Sequence, residues 1–307
     1  MFVLAHLSDP HLGPVPKARL IELLNKRGLG LINWQFRRRR FHRADVLAAL
    51  VDDLTQAAPD HTVVSGDLVN LSLAAEFAPA RQWLVELGKP ANVTVVPGNH
   101  DAYVRSAADE AVSCWGDYMA DDGATGAQVR PAGPFPFVRR RGDVALIGLR
   151  TGVPTGPFMA TGRLGHGQLA RLAKTLADLS TEQIFRIVVI HHPPVSPLSE
   201  RLKRLVDGEQ LRTVIAQHGA ELVIHGHRHV SSTTWLEGPA GPVPVVGVPS
   251  ASAALEGHDE PAAYNLYRIE GSAQAWRCEV TSRGFKRGHS GVTHLASRTL
   301  GRFADGL

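Results

Sequence analysis

Val93-Thr94-Val95-Val96-Pro97-Gly98-Asn99-His100-Asp101 is the stretch that decides the fold. Four β-branched residues make a short buried strand, and Pro97-Gly98 stops it. An amide, an imidazole and a carboxylate then follow in one tight turn. The same arrangement, an apolar strand running into polar groups able to hold a metal, recurs along the chain. Phe2–Leu7 runs into Ser8-Asp9-Pro10-His11, and Thr62–Ser65 into Gly66-Asp67. Arg186–Ile190 runs into His191-His192-Pro193-Pro194, and Glu221–Ile224 into His225-Gly226-His227-Arg228-His229. Ligands of open α/β sheets bind beyond the carboxyl ends of strands. Five strand ends delivering Asp, Asn and His to one rim read as a metal site.

Between these strands lie helix-like stretches at Arg43–Ala57, Ala74–Gly88, Arg105–Met119, Gly167–Leu179 and Glu209–Gln217. The first two alternate with strands as β-α-β-α-β, which argues for parallel pairing. Further strands are expected at Val144–Leu149, Val243–Val248, Tyr264–Glu270 and Ala275–Thr281, the last of them without long intervening helices and so antiparallel. The class is α/β with mixed sheets. Val129–Thr161, rich in Gly and Pro, reads as loops near the site, and residues 283–307 as a polar, flexible tail after one domain over 1–282.

The chain has 307 residues, ample for a buried core, and an ordinary globular composition. The two cysteines, Cys114 and Cys278, are too sparse for a disulfide framework and read as free thiols. The first residues lack a basic leader and no stretch has the roughly 18 apolar residues of a membrane span, so the expected location is the cytoplasm. The net charge of +4 is uneven. Lys17–Arg43 holds nine Lys/Arg against one acid, Glu22, and the chain outside this stretch and the basic tail is net acidic. A uniformly basic coat for nucleic acid is excluded.

Phosphoesters resist hydrolysis because nucleophile and ester repel each other's negative charge. Two divalent ions about 3.5–4 Å apart clamp the phosphoryl oxygens and acidify a bound water. Such a pair needs a carboxylate able to bridge, with neutral imidazole and amide ligands that keep the site electrophilic. Asp9-x-His11 puts two ligands on one side of an extended chain end. His227-x-His229 does the same after Gly226. Each motif alone is weak: Asp67 serves equally as a helix cap, Asn99 as a turn residue, His191-His192 as surface. The ordered set is specific.

Asp9-x-His11, Gly66-Asp67-x-x-Asn70, Gly98-Asn99-His100-Asp101, His191-His192-Pro193 and Gly226-His227-x-His229 together resemble the calcineurin-like metallophosphoesterase superfamily. The resemblance spans residues 9 to 229. It implies a four-layer α/β/β/α sandwich of two mixed sheets, with a dinuclear site at one sheet edge. It implies Asp9, His11, Asp67 and His229 on one metal, and Asp67, Asn99, His191 and His227 on the other, with Asp67 bridging. The metals are two divalent ions, for which such ligands suit Mn, Fe, Zn or Co. His100 would protonate the leaving alkoxide, with Asp101 orienting it. The ligand usually stands two residues before a proline, which selects His191 and leaves His192 near substrate or packed. Asn70 would support the site from behind. Arg228 is expected in solvent or facing the substrate phosphate, and His225 is structural.

The motifs name the reaction better than the substrate. They resemble a bacterial branch containing cyclic-nucleotide and glycerophosphodiester phosphodiesterases, so a small-molecule or nucleotide-type phosphoester is expected. A second branch cleaves the pyrophosphate of UDP-2,3-diacylglucosamine at the membrane. Lys17–Arg43 bears on that choice. Its Leu, Ile, Trp34 and Phe36 interleave with basic residues before Arg37–Arg40, and Gly28 and Gly30 are expected to break any single long helix. The insert reads as an interfacial element or as a lid packed on the sandwich. A nuclease is the rival enzyme, favoured by the basic insert; a non-catalytic scaffold would lack ligands that are all present here.

Overall fold

The computed structural model describes residues 1–122, 135–256, 260–272 and 275–304. Twelve strands run in chain order as β1 (Phe2–Leu7), β2 (His61–Val64), β3 (Val93–Val95), β4 (Phe137–Arg141), β5 (Val144–Gly148), β6 (Phe185–Val189), β7 (Leu222–His225), β8 (Ser232–Leu236), β9 (Val243–Gly247), β10 (Ala263–Glu270), β11 (Ala275–Phe285) and β12 (Val292–Ala304). They form two six-stranded sheets, ordered β12-β11-β10-β1-β2-β3 and β4-β5-β6-β7-β9-β8. Both are mixed. β1 pairs parallel with β2 and antiparallel with β10, while β5, β6, β7 and β9 run parallel between antiparallel edges. All four residues of β2 and of β7 are buried, as strands covered on both faces must be.

The helices are α1 (Lys26–Asn33), α2 (Arg39–Phe41), α3 (Ala44–Gln56), α4 (Ala74–Leu87), α5 (Glu110–Trp115), α6 (His166–Ser180) and α7 (Gly208–His218). α3 buries Val46, Leu47, Leu50 and Leu54, one stripe at helical spacing. That stripe joins Leu4, Val63 and Val95 of the first sheet and Ile187, Leu222 and Val246 of the second in one core. α6 buries Leu169, Leu172, Leu176 and Leu179 on the outer face of the second sheet, where a separate core holds Ala145, Val188 and Val223. The result is the expected sandwich: helices, sheet, sheet, helices.

Four expectations need correction. The tail from 283 is not loose: β11 continues to Phe285 and the chain returns as antiparallel β12; residues 305–307 lie outside the described set. Most of β12 is exposed, so it carries no buried stripe to betray it. The loop zone 129–161 holds an unexpected strand, β4, paired with the expected one at β5, with 129–134 outside the described residues. The expected helix 105–119 is instead a 3₁₀ turn, α5 and a second 3₁₀ turn. Asp109, which accepts from Arg150 Nη1 at 2.7 Å, and Gly116 mark the two breaks.

Gly28 and Gly30 do not break the insert. Both lie inside α1, which passes through a π turn (Trp34–Arg38) into α2. Gly30 is there for close approach: a Cβ on it would stand 2.6 Å from Leu71 Cδ2 and 2.7 Å from the Tyr103 hydroxyl. Cys114 and Cys278 are free thiols.

Candidate metal centre

The motif residues converge where β1, β2, β3, β6 and β7 end. Asp9, His11, Asp67, His227 and His229 all take positive φ, five of the nine such non-glycine residues among the described ones. Left-handed backbone is costly for these side chains, so the strain is concentrated where the ligands must turn inward. Close packing replaces flexibility at Gly98. A Cβ there would collide with Asp67 Oδ1 and stand 2.6 Å from the Asp67 backbone nitrogen.

Asp67 is the centre. Its Oδ1 accepts the His100 backbone N–H at 2.7 Å, which fixes the carboxylate. Its Oδ2 faces His191 Nε2 at 3.4 Å and His11 Nε2 at 3.9 Å. Asp9 Oδ1 lies 3.0 Å from His229 Nε2 and 3.8 Å from His11 Nε2, while Oδ2 accepts the His227 backbone N–H at 3.0 Å. Three sets bring their ligand atoms within 4.8 Å of one another: Asp9, His11 and His229; Asp9, Asp67 and His191; His191, His192 and His227.

Hydrogen bonds sort the histidines. His191 Nδ1 donates to the Ser65 carbonyl at 2.7 Å, so Nε2, the nitrogen whose proton a metal would replace, faces Asp67 and, at 3.2 Å, Asn99 Oδ1. His227 donates through Nε2 to the Lys203 carbonyl at 2.8 Å, which leaves Nδ1 as its lone-pair nitrogen. His192 has both nitrogens engaged, Nδ1 with Thr151 Oγ1 at 2.8 Å and Nε2 with the Ala160 carbonyl at 3.1 Å. It ties two loops together.

Two sequence expectations fail geometrically, the second in part. Asp101 does not touch the His100 ring. Its carboxylate accepts backbone N–H groups from Asp67, Leu68 and Gly98 at 2.8 Å and from Val69 at 3.1 Å, clamping the Asp67 turn to the Asn99 turn. Arg228 does not stand free in solvent: it lines the cavity and forms a two-pronged pair with Glu200 at 3.0 and 3.1 Å. Asn70's backbone carbonyl accepts from His100 Nδ1 at 2.5 Å and its Nδ2 donates to the Leu12 carbonyl at 2.8 Å. His225 is buried and donates from Nδ1 to the Gly226 carbonyl at 2.9 Å.

Four contributors escaped the sequence reading. Arg38 reaches from the π turn to His100 Nε2 and His11 Nε2, both at 2.9 Å. His42 bonds Ser252 Oγ at 2.8 Å and stands 3.3 Å from Arg38 Nη2. Lys26 bonds Thr155 Oγ1 and the Met159 carbonyl and lies over the Tyr103 ring. Buried Glu76 accepts backbone N–H groups of Asn70, Leu71 and Leu73, holding the loop that follows Asp67. A π turn often marks a functional site, but four consecutive arginines give no periodicity that singles out the second, Arg38.

Electrostatics fit a cation. Burial disfavours the imidazolium of His191, yet the Asp67 and Asp9 carboxylates outweigh it and raise that histidine to about 9. Asp9 and Asp67 are held below the usual carboxylate range against their burial, chiefly by His229 and His191 for Asp9 and by His191 and His100 for Asp67. Burial and Arg38 push His100 down to about 3. Two ionised carboxylates among lone-pair nitrogens form a negative pocket that a proton fills by default and a divalent cation fills better. Oxygen and nitrogen donors in this mixture suit a first-row divalent metal.

The cavity above these residues measures about 710 Å³ and is lined by Lys26, Arg37, Arg38, Asp67, His100 and His229 among others. A larger depression of about 830 Å³ near Trp235 and Trp276 gathers none of the motif residues.

Comparison with known proteins agrees. The calcineurin-like phosphoesterase family model matches residues 2–231. A probable cyclic nucleotide phosphodiesterase of Synechococcus sp. is 26% identical over 236 residues, covering 76% of this chain and 80% of that protein. A dimetal phosphatase from Danio rerio superposes with a TM-score of 0.64 at 11% identity, covering 99% of both chains. A purple acid phosphatase from yellow lupin seeds superposes with a TM-score of 0.63 at 12% identity, over 97% of this chain and 53% of that one. These two share the fold. With the family model covering most of its length, the chain belongs to the calcineurin-like phosphoesterase family.

Proposed function

We propose that this protein is a dinuclear metal-dependent phosphodiesterase acting on small phosphodiesters of the nucleotide type. The observation that carries the reading is the position of Asp67 Oδ2, which faces His191 on one side and His11 on the other. Asp9, His11, Asp67 and His229 would hold one ion, and Asp67, Asn99, His191 and His227 the other. When bound, such a pair supplies Lewis-acid polarisation of the phosphoryl oxygens and an acidified water.

The chain's own groups do the rest. Ser65 and Lys203 carbonyls hold His191 and His227 in the tautomers that offer lone pairs. Asp101 fixes the two ligand turns against each other. Arg38, between His11 and His100, is the cation placed to meet the substrate's anionic oxygens, and it competes with a metal for the His11 Nε2 lone pair. The Asn70 carbonyl accepts the Nδ1–H of His100, so Nε2 is the lone-pair nitrogen, to which Arg38 donates. His100 therefore acts as an acid only once a bound phosphoester's negative charge raises its proton affinity enough for Nε2 to take a proton from solvent, which it then hands to the leaving oxygen.

The diester preference is supported by the Synechococcus relative named as a probable cyclic nucleotide phosphodiesterase. The test is a metal-by-substrate panel of Mn, Fe, Zn and Co against bis-p-nitrophenyl phosphate, p-nitrophenyl phosphate and cyclic AMP. The reading predicts faster turnover of the diesters than of the monoester. Preferential cleavage of the monoester sinks it.

A further inference from the structure

Exposed large apolar side chains are concentrated around the insert. Leu20 is 85% exposed, Leu24 84% and Phe36 79%, with Ile21, Leu29 and Ile32 also open to solvent. Across the cavity mouth stands Phe158, 81% exposed, beside Met159. Leu29, Phe158 and Met159 line the cavity itself, so the apolar residues reach its rim.

The insert also gathers cations. Among the described residues some arginines elsewhere find carboxylates, such as Arg140 with Glu182 and Arg283 with Asp53, and others, such as Arg105 and Arg268, do not; what sets the insert apart is three exposed arginines together beside exposed apolar side chains. Among the described residues the side chains of Arg37, Arg39 and Arg40 take no carboxylate partner and are exposed. Apolar side chains left in water beside unpaired arginines are costly in a monomer and favourable at one kind of surface. Leu and Phe enter the acyl boundary while arginines meet anionic headgroups. Nucleic acid would take the charge but leave the apolar side chains in water.

We propose that residues 20–41, with Phe158 opposite, form an interfacial platform that seats the mouth of the cavity on an anionic lipid bilayer. No described helix is long and apolar enough to cross a membrane, so the contact is peripheral. The proposal rests on this surface alone and stands or falls without the hydrolytic reading.

The experiment is flotation of the full chain with vesicles of phosphatidylcholine alone or mixed with phosphatidylglycerol. Binding is expected to the mixed vesicles and not to phosphatidylcholine alone. Replacing Arg39→Gln and Arg40→Gln together is expected to lower partitioning about thirtyfold. Replacing Leu24→Ser and Phe36→Ser together is expected to lower it at least about tenfold. Both pairs are exposed, so thermal unfolding midpoints like that of wild type report that both variants fold. The idea is overturned if the wild-type chain stays unbound with mixed vesicles. It is equally overturned if the Leu24/Phe36 variant floats like wild type, or if a short RNA competes the chain off the vesicles as a tighter ligand.

Discussion

Arg38 Nη2 lies 2.9 Å from His11 Nε2, though the two residues are 27 positions apart and on different elements. The same guanidinium donates to His100 Nε2. An insert that a sequence reading treats as a lid therefore delivers a charged group to the heart of the candidate site. Replacing Arg38→Met is expected to lower kcat/KM for bis-p-nitrophenyl phosphate roughly hundredfold, the scale of losing one preorganised donor to developing charge. Arg38→Lys should recover only part, because an ammonium cannot span both histidines. Metal content should stay at the wild-type level; its loss would make Arg38 a support for His11 instead.

Gly98→Ala tests close packing. The added methyl group would have to displace the Asp67 carboxylate, so metal content and hydrolysis should fall together. Elemental analysis of the purified variant beside wild type checks this. Wild-type metal content in a folded Gly98→Ala protein would mean that the turn relaxes without moving Asp67.

His191 and His192 are neighbours with different expected effects. His191→Ala should lose metal, because its Nε2 is the nitrogen facing Asp67. His192→Ala should retain metal but lose about 1–3 kcal/mol of stability, since Thr151 and the Ala160 carbonyl lose a buried partner. Metal analysis and chemical denaturation of both variants separate the two roles. The reverse pattern would move the ligand to His192.

His61 is one contributor to the acid limb of stability, beside other buried histidines such as His6 and His225. It is buried on β2, bonds Thr94 Oγ1 at 2.8 Å, and accepts from Arg141 Nε at 3.2 Å. Burial, with Arg141 and Arg139 beside it, pushes it down from 6.5 to about 3. The folded state then binds fewer protons than the unfolded chain between those values, so this contribution is present above 6.5 and is lost as pH falls toward 3. Its full loss is on the order of a few kcal/mol. Denaturation midpoints across that range should fall less steeply in His61→Gln than in wild type; parallel curves would contradict the assignment.

Much of the fold is legible in the residues because both sheets have buried centres. β1, β2, β3, β6 and β7 are apolar runs that end in polar turns, and α3 and α6 carry stripes that name their faces. What was illegible lies at the edges. β8 and β12 are largely exposed, and an edge strand without a buried stripe looks like a loop. At the site, ligand types are readable because each follows a strand and a turn. The supporting contacts are not. Asp101 belongs to backbone groups instead of to His100, and Glu76, His42 and Arg38 act across the fold through pairings that no local spacing encodes.

The central claim is that Asp67 joins two metal ions in one hydrolytic site. Metal stoichiometry and diester hydrolysis measured together on wild type and Asp67→Asn test it most directly. The account predicts two ions per chain in the wild type. In the variant it predicts loss of bound metal and a fall in hydrolysis on the order of a thousandfold or more. A single ion per chain in the fully loaded, active wild type, or undiminished hydrolysis in Asp67→Asn, would contradict it.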